Sequence, residues 1–114
     1  NISQEGFIVK REDSAKFLEE KLAILGLTQR ETQEFIIYWL PKLEENKYNF
    51  IRFETMEEIE ANMPLELSET PDTLIRVMMQ FKGLDKYIEI PEQKLETPKR
   101  EGFTVVEWGG TEVK

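Results

Sequence analysis

Residues 34–41 read EFIIYWLP, an uninterrupted apolar and aromatic run that is among the best core material in the chain. A second aromatic segment, GFTVVEWGG, occupies residues 102–110. The two segments contain both tryptophans, Trp39 and Trp108. Because large apolar side chains are usually buried, they predict a packed domain with these segments at its centre.

The residues before the first run predict a helical hairpin. Apolar residues recur at helical spacing from about residue 14 to 25, and Gly26 stands where a glycine ends a helix in the left-handed conformation. Thr28 and Glu31 have the spacing of a capping box, so a second helix begins after a short turn. By periodicity alone the run at 34–41 also fits a buried strand, but the capping box favours a helix. Pro41 is expected to bend or interrupt that helix.

Beyond the hairpin the pattern changes to the alternation that is typical of strands. Ile75, Val77, Met79 and Phe81 share one face of the clearest strand, and residues 91–100 read as an extended connector. Strands are predicted at residues 7–9, 50–53, 65–67, 73–81, 87–90 and 103–108, the last of them ended by Gly109 and Gly110.

Two helices followed by a run of strands predict an α+β fold. We expect an N-terminal two-helix hairpin that packs on one face of a mainly antiparallel sheet of four to five strands. The chain of 114 residues fits a single domain, residues 1–114.

The composition excludes several chemistries. The chain has no cysteine and no histidine, so disulfides, Cys or His zinc sites and Ser-His-Asp catalysis cannot arise within it. A formal net charge of -8 disfavours nucleic acid as a partner, and no segment is apolar for long enough to insert in a membrane. The acidic segment Glu54–Asp72 lacks EF-hand spacing and reads as solvated surface, with partner docking and then cation binding as the less favoured alternatives. We predict no cofactor, no metal site and no catalytic residue.

Two sets of residues are candidates for ligand binding. Arg52 and Arg76 stand inside predicted strands and can bind an anion together if those strands pair. The alternative is that each arginine pairs with an outward glutamate such as Glu66 or Glu107. The second set is aromatic and can line a carbohydrate or peptide groove, or else belong to the core; it contains Tyr38, Trp39, Tyr48 and Trp108.

Seven blocks, in a fixed order over nearly the whole chain, carry a family resemblance. They are residues 17–22 (FLEEKL), 26–28 (GLT), 34–41 (EFIIYWLP), 46–51 (NKYNFI), 71–77 (PDTLIRV), 90–93 (IPEQ) and 102–110 (GFTVVEWGG). The order resembles an uncharacterised family of bacterial exported or cell-envelope proteins. The resemblance implies that the chain is exported, at the cell surface or in the envelope, and is the C-terminal part of a longer protein. It implies no activity, cofactor or catalytic residue.

These observations favour a non-catalytic module that works through protein–protein or structural contacts. Its partner is expected to be another protein, or a second copy that pairs through an exposed sheet edge. The alternative function is a small-ligand or carbohydrate-binding domain. A carboxylate-based hydrolase is the least favoured, because 23 acidic residues place some pair at a suitable distance by chance.

Overall fold

A four-stranded sheet with helices on both faces forms the domain in the computed structural model, which describes residues 5–113. The α+β class is therefore confirmed. In chain order the elements are β1 (Phe7–Lys10), a 3-10 turn (Arg11–Asp13), α1 (Ser14–Ile24), α2 (Gln29–Leu43), β2 (Tyr48–Phe53), α3 (Met56–Asn62), β3 (Thr73–Leu84) and β4 (Thr104–Glu112).

The helical hairpin forms where the local signals place it. Gly26 ends α1 with a φ of 102°, which a residue with a Cβ rarely adopts. The Thr28 hydroxyl accepts a hydrogen bond from the Glu31 amide at 3.2 Å, and the Glu31 carboxylate accepts one from the Thr28 amide at 2.8 Å. The helix continues through Pro41, so the predicted interruption is not observed. Burial of Leu43 in the core holds the final turn despite the missing amide.

The sheet has the strand order β1-β2-β3-β4 and is mixed. β1 and β3 both pair antiparallel with β2, but β4 runs parallel to β3, with Thr73 opposite Thr104 and Phe81 opposite Glu112. The expectation of a mainly antiparallel sheet is thus inexact, because the longest ladder is parallel. A parallel pair needs a crossover between its strands, and residues 85–103 supply it.

This crossover is tied to the sheet by backbone and side-chain hydrogen bonds. The Gly6 amide donates to the Pro91 carbonyl at 3.0 Å, beside the start of β1. The Gln93 side chain accepts from the Phe53 amide at 3.0 Å and donates to the Phe53 carbonyl at 2.7 Å. The connector therefore follows the end of the sheet before it reaches β4.

Two predicted strands are absent, and the predicted end of the last strand is wrong. Residues 65–67 and 87–90 form no strand, and β4 continues through both glycines to Glu112. The strand continues because Gly110 lies against the Trp39 ring, where an added Cβ would come within 2.9 Å of Cζ2. The core thus requires a glycine inside β4 rather than at its end.

The two faces of the sheet are covered differently. The α1–α2 hairpin covers one face over a core that includes Leu18, Phe35 and Met79, each fully buried. The helix α3, which the sequence analysis did not predict, covers part of the other face and buries Ile59 against the sheet. The hairpin also follows β1 rather than preceding every strand.

Candidate functional site

Three of the four aromatic candidates come together on the hairpin face of β4. The Trp108 ring lies 5.2 Å from Phe35 and 6.4 Å from Tyr38, measured between ring centroids. Trp39 packs between Tyr38, at 4.9 Å, and Phe81 of β3, at 6.0 Å. Trp39 is buried as core, whereas 55% of Tyr38 is exposed. The cluster therefore presents Tyr38 and one side of Trp108 to solvent.

The fourth aromatic candidate, Tyr48, does not join this cluster. Its ring lies 6.3 Å from the ring of Tyr87, on the sheet face opposite the hairpin. The predicted aromatic residues therefore do not line one common groove.

The hydrogen bonds at the two ends of β4 show which backbone groups of this strand face solvent. The Phe103 carbonyl accepts from the Asp72 and Thr73 amides, and the Val113 amide donates to the Phe81 carbonyl at 2.6 Å. Because strand residues point their backbone groups alternately to either side, odd-numbered residues of β4 face β3 and even-numbered residues face outward.

We call the outward-facing backbone of Thr104, Val106, Trp108 and Gly110 the outer edge of β4. Within residues 5–113, no strand pairs with this edge. The side chains of Val106 and Trp108 lie on the hairpin face and are partly exposed. A row of unpaired backbone groups is thus bordered by apolar surface.

Charged residues of α2 stand on the same side as Tyr38. The Lys42 ammonium lies 5.5 Å from the centre of the Tyr38 ring. In the first turn of α2, the Glu31 carboxylate accepts two hydrogen bonds from Arg100, at 3.0 and 3.1 Å. The hydrogen bond from Arg100 is the main reason that the pKa of Glu31 lies below its ordinary value. The exposed tyrosine is therefore flanked along the helix by Lys42 on one side and by the ion pair of Glu31 and Arg100 on the other.

Both candidate arginines lie on the α3 face of the sheet, and glutamates neutralise them. Arg76 donates from Nε to Glu107 at 2.6 Å, which confirms the cross-strand pairing expected for this residue, and its Nη1 lies 3.5 Å from a Glu60 oxygen. Arg52 pairs with Glu58 of α3 at 2.9 Å.

The two guanidinium groups are held by different glutamates. Arg52 stands opposite Gln80 of β3, and Arg76 lies four residues from Gln80 along the same strand. The Cα atoms of Gln80 and Arg76 are therefore about 13 Å apart along β3. The pKa of Glu58 is lowered first by the hydrogen bond from the Thr55 amide and then by Arg52. The ionised carboxylate thus holds α3 to the sheet.

Two concave surfaces lie away from the aromatic cluster. A groove of about 430 Å³ separates β1 from α1; it is lined by Phe7, Phe17 and Lys21 among others. A pocket of about 280 Å³ lies between the connector and β3, with Arg76 in its wall. Tyr38, Trp39, Tyr48 and Trp108 line neither of them.

No group of acidic side chains in the described part of the chain is arranged to hold a metal ion. Across residues 5–113, no helix combines the length and the apolar character that crossing a membrane requires.

Comparison of the chain with protein-family models, with curated proteins and with solved structures found no match in any of the three. The site is therefore defined by its geometry. Sequence reasoning identified Tyr38 and Trp108 but not the outward backbone of Val106 and Gly110. The apolar alternation in residues 103–108 predicted a strand. It could not show that this strand lies at the edge of the sheet, because that depends on the strand order.

Proposed function

We propose that this domain is a non-catalytic interaction module that binds an extended segment of a partner protein along the outer edge of β4. The observation that carries the proposal is the combination of unpaired outward backbone groups with the exposed Tyr38 and Trp108 beside them. A strand added here gains main-chain hydrogen bonds, and its side chains on the hairpin face contact the aromatic surface.

The contrast between the two edges of the sheet supports this proposal. Proteins usually blunt an exposed edge with short length, proline, lysine or a bulge. β1 has only four residues, and the connector pairs with Gly6 at its start. β4 has nine residues that read TVVEWGGTE, without proline or lysine, and its register with β3 runs without a bulge. One edge is therefore short and partly paired at its start, and the other is suited to pairing.

The alternative of an anionic small ligand has less support. Three glutamates, Glu58, Glu60 and Glu107, surround the two arginines, so the α3 face offers no excess positive charge. The resemblance to exported bacterial proteins leads us to place the module at the cell surface or in the envelope, where strand pairing with a neighbour would give it a structural role.

A displayed library of random nine-residue peptides tests strand addition directly. We expect the wild type to select peptides with alternating apolar residues. Val106→Pro removes one outward amide without touching the ladder to β3, so it should bind the selected peptides about tenfold more weakly or worse. Val106→Thr keeps the amide and is the matched control. Equal binding by the proline variant would refute the proposal. So would the absence of any selected peptide at a chain concentration where the protein is monomeric, because a second copy on the same edge would exclude peptides.

A further inference from the structure

We propose that the partner strand is β4 of a second copy of this chain, paired antiparallel about a two-fold axis that passes through Trp108. This inference rests on the proposed function, because it uses the same outer edge of β4. It adds the identity of the partner, the direction of the added strand and the register of the pairing.

The alternation of backbone groups restricts the possible registers. In an antiparallel pair, residues that exchange hydrogen bonds must both point their backbone groups at the partner strand. Only even-numbered residues of β4 do so, and an even-numbered residue always lies opposite another even-numbered residue. Since those residues carry their side chains on the hairpin face, both hairpins then lie on the same face of one continuous sheet of eight strands.

Centring the axis on Trp108 uses the outer edge well. Val106 of each copy lies opposite Gly110 of the other, and the two Trp108 residues lie opposite each other. These three pairs form about six hydrogen bonds, two for each pair. An aromatic pair at the centre is a favourable cross-strand contact. Opposite Val106, Gly110 carries the Trp39 ring on the hairpin face, so the valine side chain of the other copy packs beside that indole.

Charge favours this register over its neighbour. With the axis on Trp108, Glu107 lies opposite Gly109 and Glu112 lies opposite Thr104, so no carboxylate faces another. Moving the axis by one residue, to Glu107, would place two Glu107 side chains directly opposite, which is unfavourable for like charges. The existing bond from Arg76 to Glu107 remains intact in the first register.

The helices also fit such a pair. Trp39 of α2 contacts Phe81 of β3 and Gly110 of β4, so α2 lies above these two strands. With strands about 4.8 Å apart, the two-fold copies of α2 lie about 10 Å from each other, which is the spacing of packed helices. Tyr38 then stands between the helices. Because the helices run antiparallel, Lys42 of one copy approaches the ion pair of Glu31 and Arg100 in the other.

Assembly should stop at two copies. A two-fold contact uses the same surface on both chains and is closed. The ends of the eight-stranded sheet are then the two β1 strands, which are short and partly paired with the connector. Among the described residues, the sheet of the pair therefore has no further open edge of comparable length.

The first experiment measures mass by sedimentation equilibrium across a range of chain concentrations. We expect a dimer of twice 13.5 kDa. Val106→Pro and Tyr38→Lys should each weaken the dimer about tenfold or more, whereas Val106→Thr should remain dimeric. Tyr38→Lys acts on an exposed side chain, so it guards against misreading a folding defect in the proline variant. A monomer at all concentrations would overturn the inference, as would dimers that withstand both substitutions.

The register is tested by disulfide trapping, since the chain has no cysteine of its own. In the proposed register Val105 lies opposite Thr111 of the other copy, with a Cα separation of about 4.5 Å, which a disulfide spans. An equimolar mixture of Val105→Cys and Thr111→Cys chains should cross-link under mild oxidation. Each variant alone should not, because its own two cysteines are about 20 Å apart. Equal cross-linking in the single-variant samples would overturn the register.

The two proposals fail in distinguishable ways. If the chain is monomeric but selected peptides still bind wild type and not Val106→Pro, the second copy is excluded and strand addition stands. If neither dimer nor peptide binding depends on Val106, both proposals fall.

Discussion

Gly110 provides the sharpest test of the packing between α2 and β4, because its neighbour Gly109 is a built-in control. A Cβ at Gly110 would meet three atoms of the Trp39 ring at 2.9 to 3.1 Å, and a rigid buried indole cannot move aside. A Cβ at Gly109 would meet only the Met78 sulfur, at 3.4 Å, which is a tolerable contact. Neither glycine has a positive φ, so backbone strain does not separate the two.

The expected magnitudes follow from two opposing effects. Replacing glycine by alanine stabilises a compatible site by about 0.4–1 kcal/mol through the entropy of the unfolded chain. Overpacking a core costs about 1–3 kcal/mol. Gly109→Ala should therefore gain about 0.5 kcal/mol, and Gly110→Ala should lose about 1 kcal/mol or more. The difference between the variants should be roughly 1.5–3 kcal/mol, or about 6–13 °C in Tm for a domain of this size.

Thermal and urea unfolding of the two variants at one low chain concentration measure this difference. Fluorescence of Trp39 and Trp108 reports the same transition, and circular dichroism gives the second probe that a two-state analysis needs. Equal stability of the two alanine variants would refute the argument that Trp39 packs on the backbone of Gly110. A stable Gly110→Ala variant with unchanged tryptophan fluorescence would refute it as well.

Three further predictions concern charges and helix caps. The pKa values of Glu31 and Glu58 are lowered by folding, so these carboxylates stabilise the protein above their unfolded pKa near 4.5, and that contribution is lost as the pH falls through the folded values. Urea midpoints should drop below about pH 4.5, and Glu31→Gln should flatten that dependence; an unchanged slope would contradict this assignment. Glu107→Gln weakens a charged hydrogen bond to the buried Arg76 and should cost about 1–3 kcal/mol, whereas Glu60→Gln, at 3.5 Å, should cost about 0–1 kcal/mol; chemical denaturation decides, and a larger loss for Glu60→Gln would reverse our ranking. Thr55→Ala removes the cap of α3 and should cost about 1 kcal/mol, with Thr55→Ser as the control that keeps the hydroxyl; equal unfolding midpoints for the two variants would count against the cap.

The hairpin was predictable because its signals are local. Gly26, the capping box at Thr28 and the apolar spacing of α1 each specify structure within a few residues. The parallel pairing of β4 was not predictable in this way, since it depends on the path of residues 85–103 around the sheet. The sequence of β4 alone does not indicate which strand it pairs with.

The sequence contains a local signal for the helix α3, but the acidic composition of the segment favoured a different interpretation. Thr55 and Glu58 form a capping box like that of α2, and both of its hydrogen bonds are present. The segment contributes only Ile59 to the buried set, so its acidic composition favoured the interpretation as solvated surface. Because α3 was not predicted, the ion pair of Arg52 was not predicted either. Arg76 and Glu107 could be paired from strand alternation, but the partner of Arg52 lies on the helix that was missed.

The crossover between β3 and β4 has a consequence for synthesis on the ribosome. β3 is complete 28 residues before β4 ends, since the two strands end at Leu84 and Glu112. At about 5–20 residues per second, the interval is roughly 1–6 s. From the time that β3 leaves the ribosome until β4 follows, β3 is itself the open edge of the sheet, with Ile75, Val77 and Phe81 on its core face. The growing chain therefore carries a central strand with one unpaired edge for seconds.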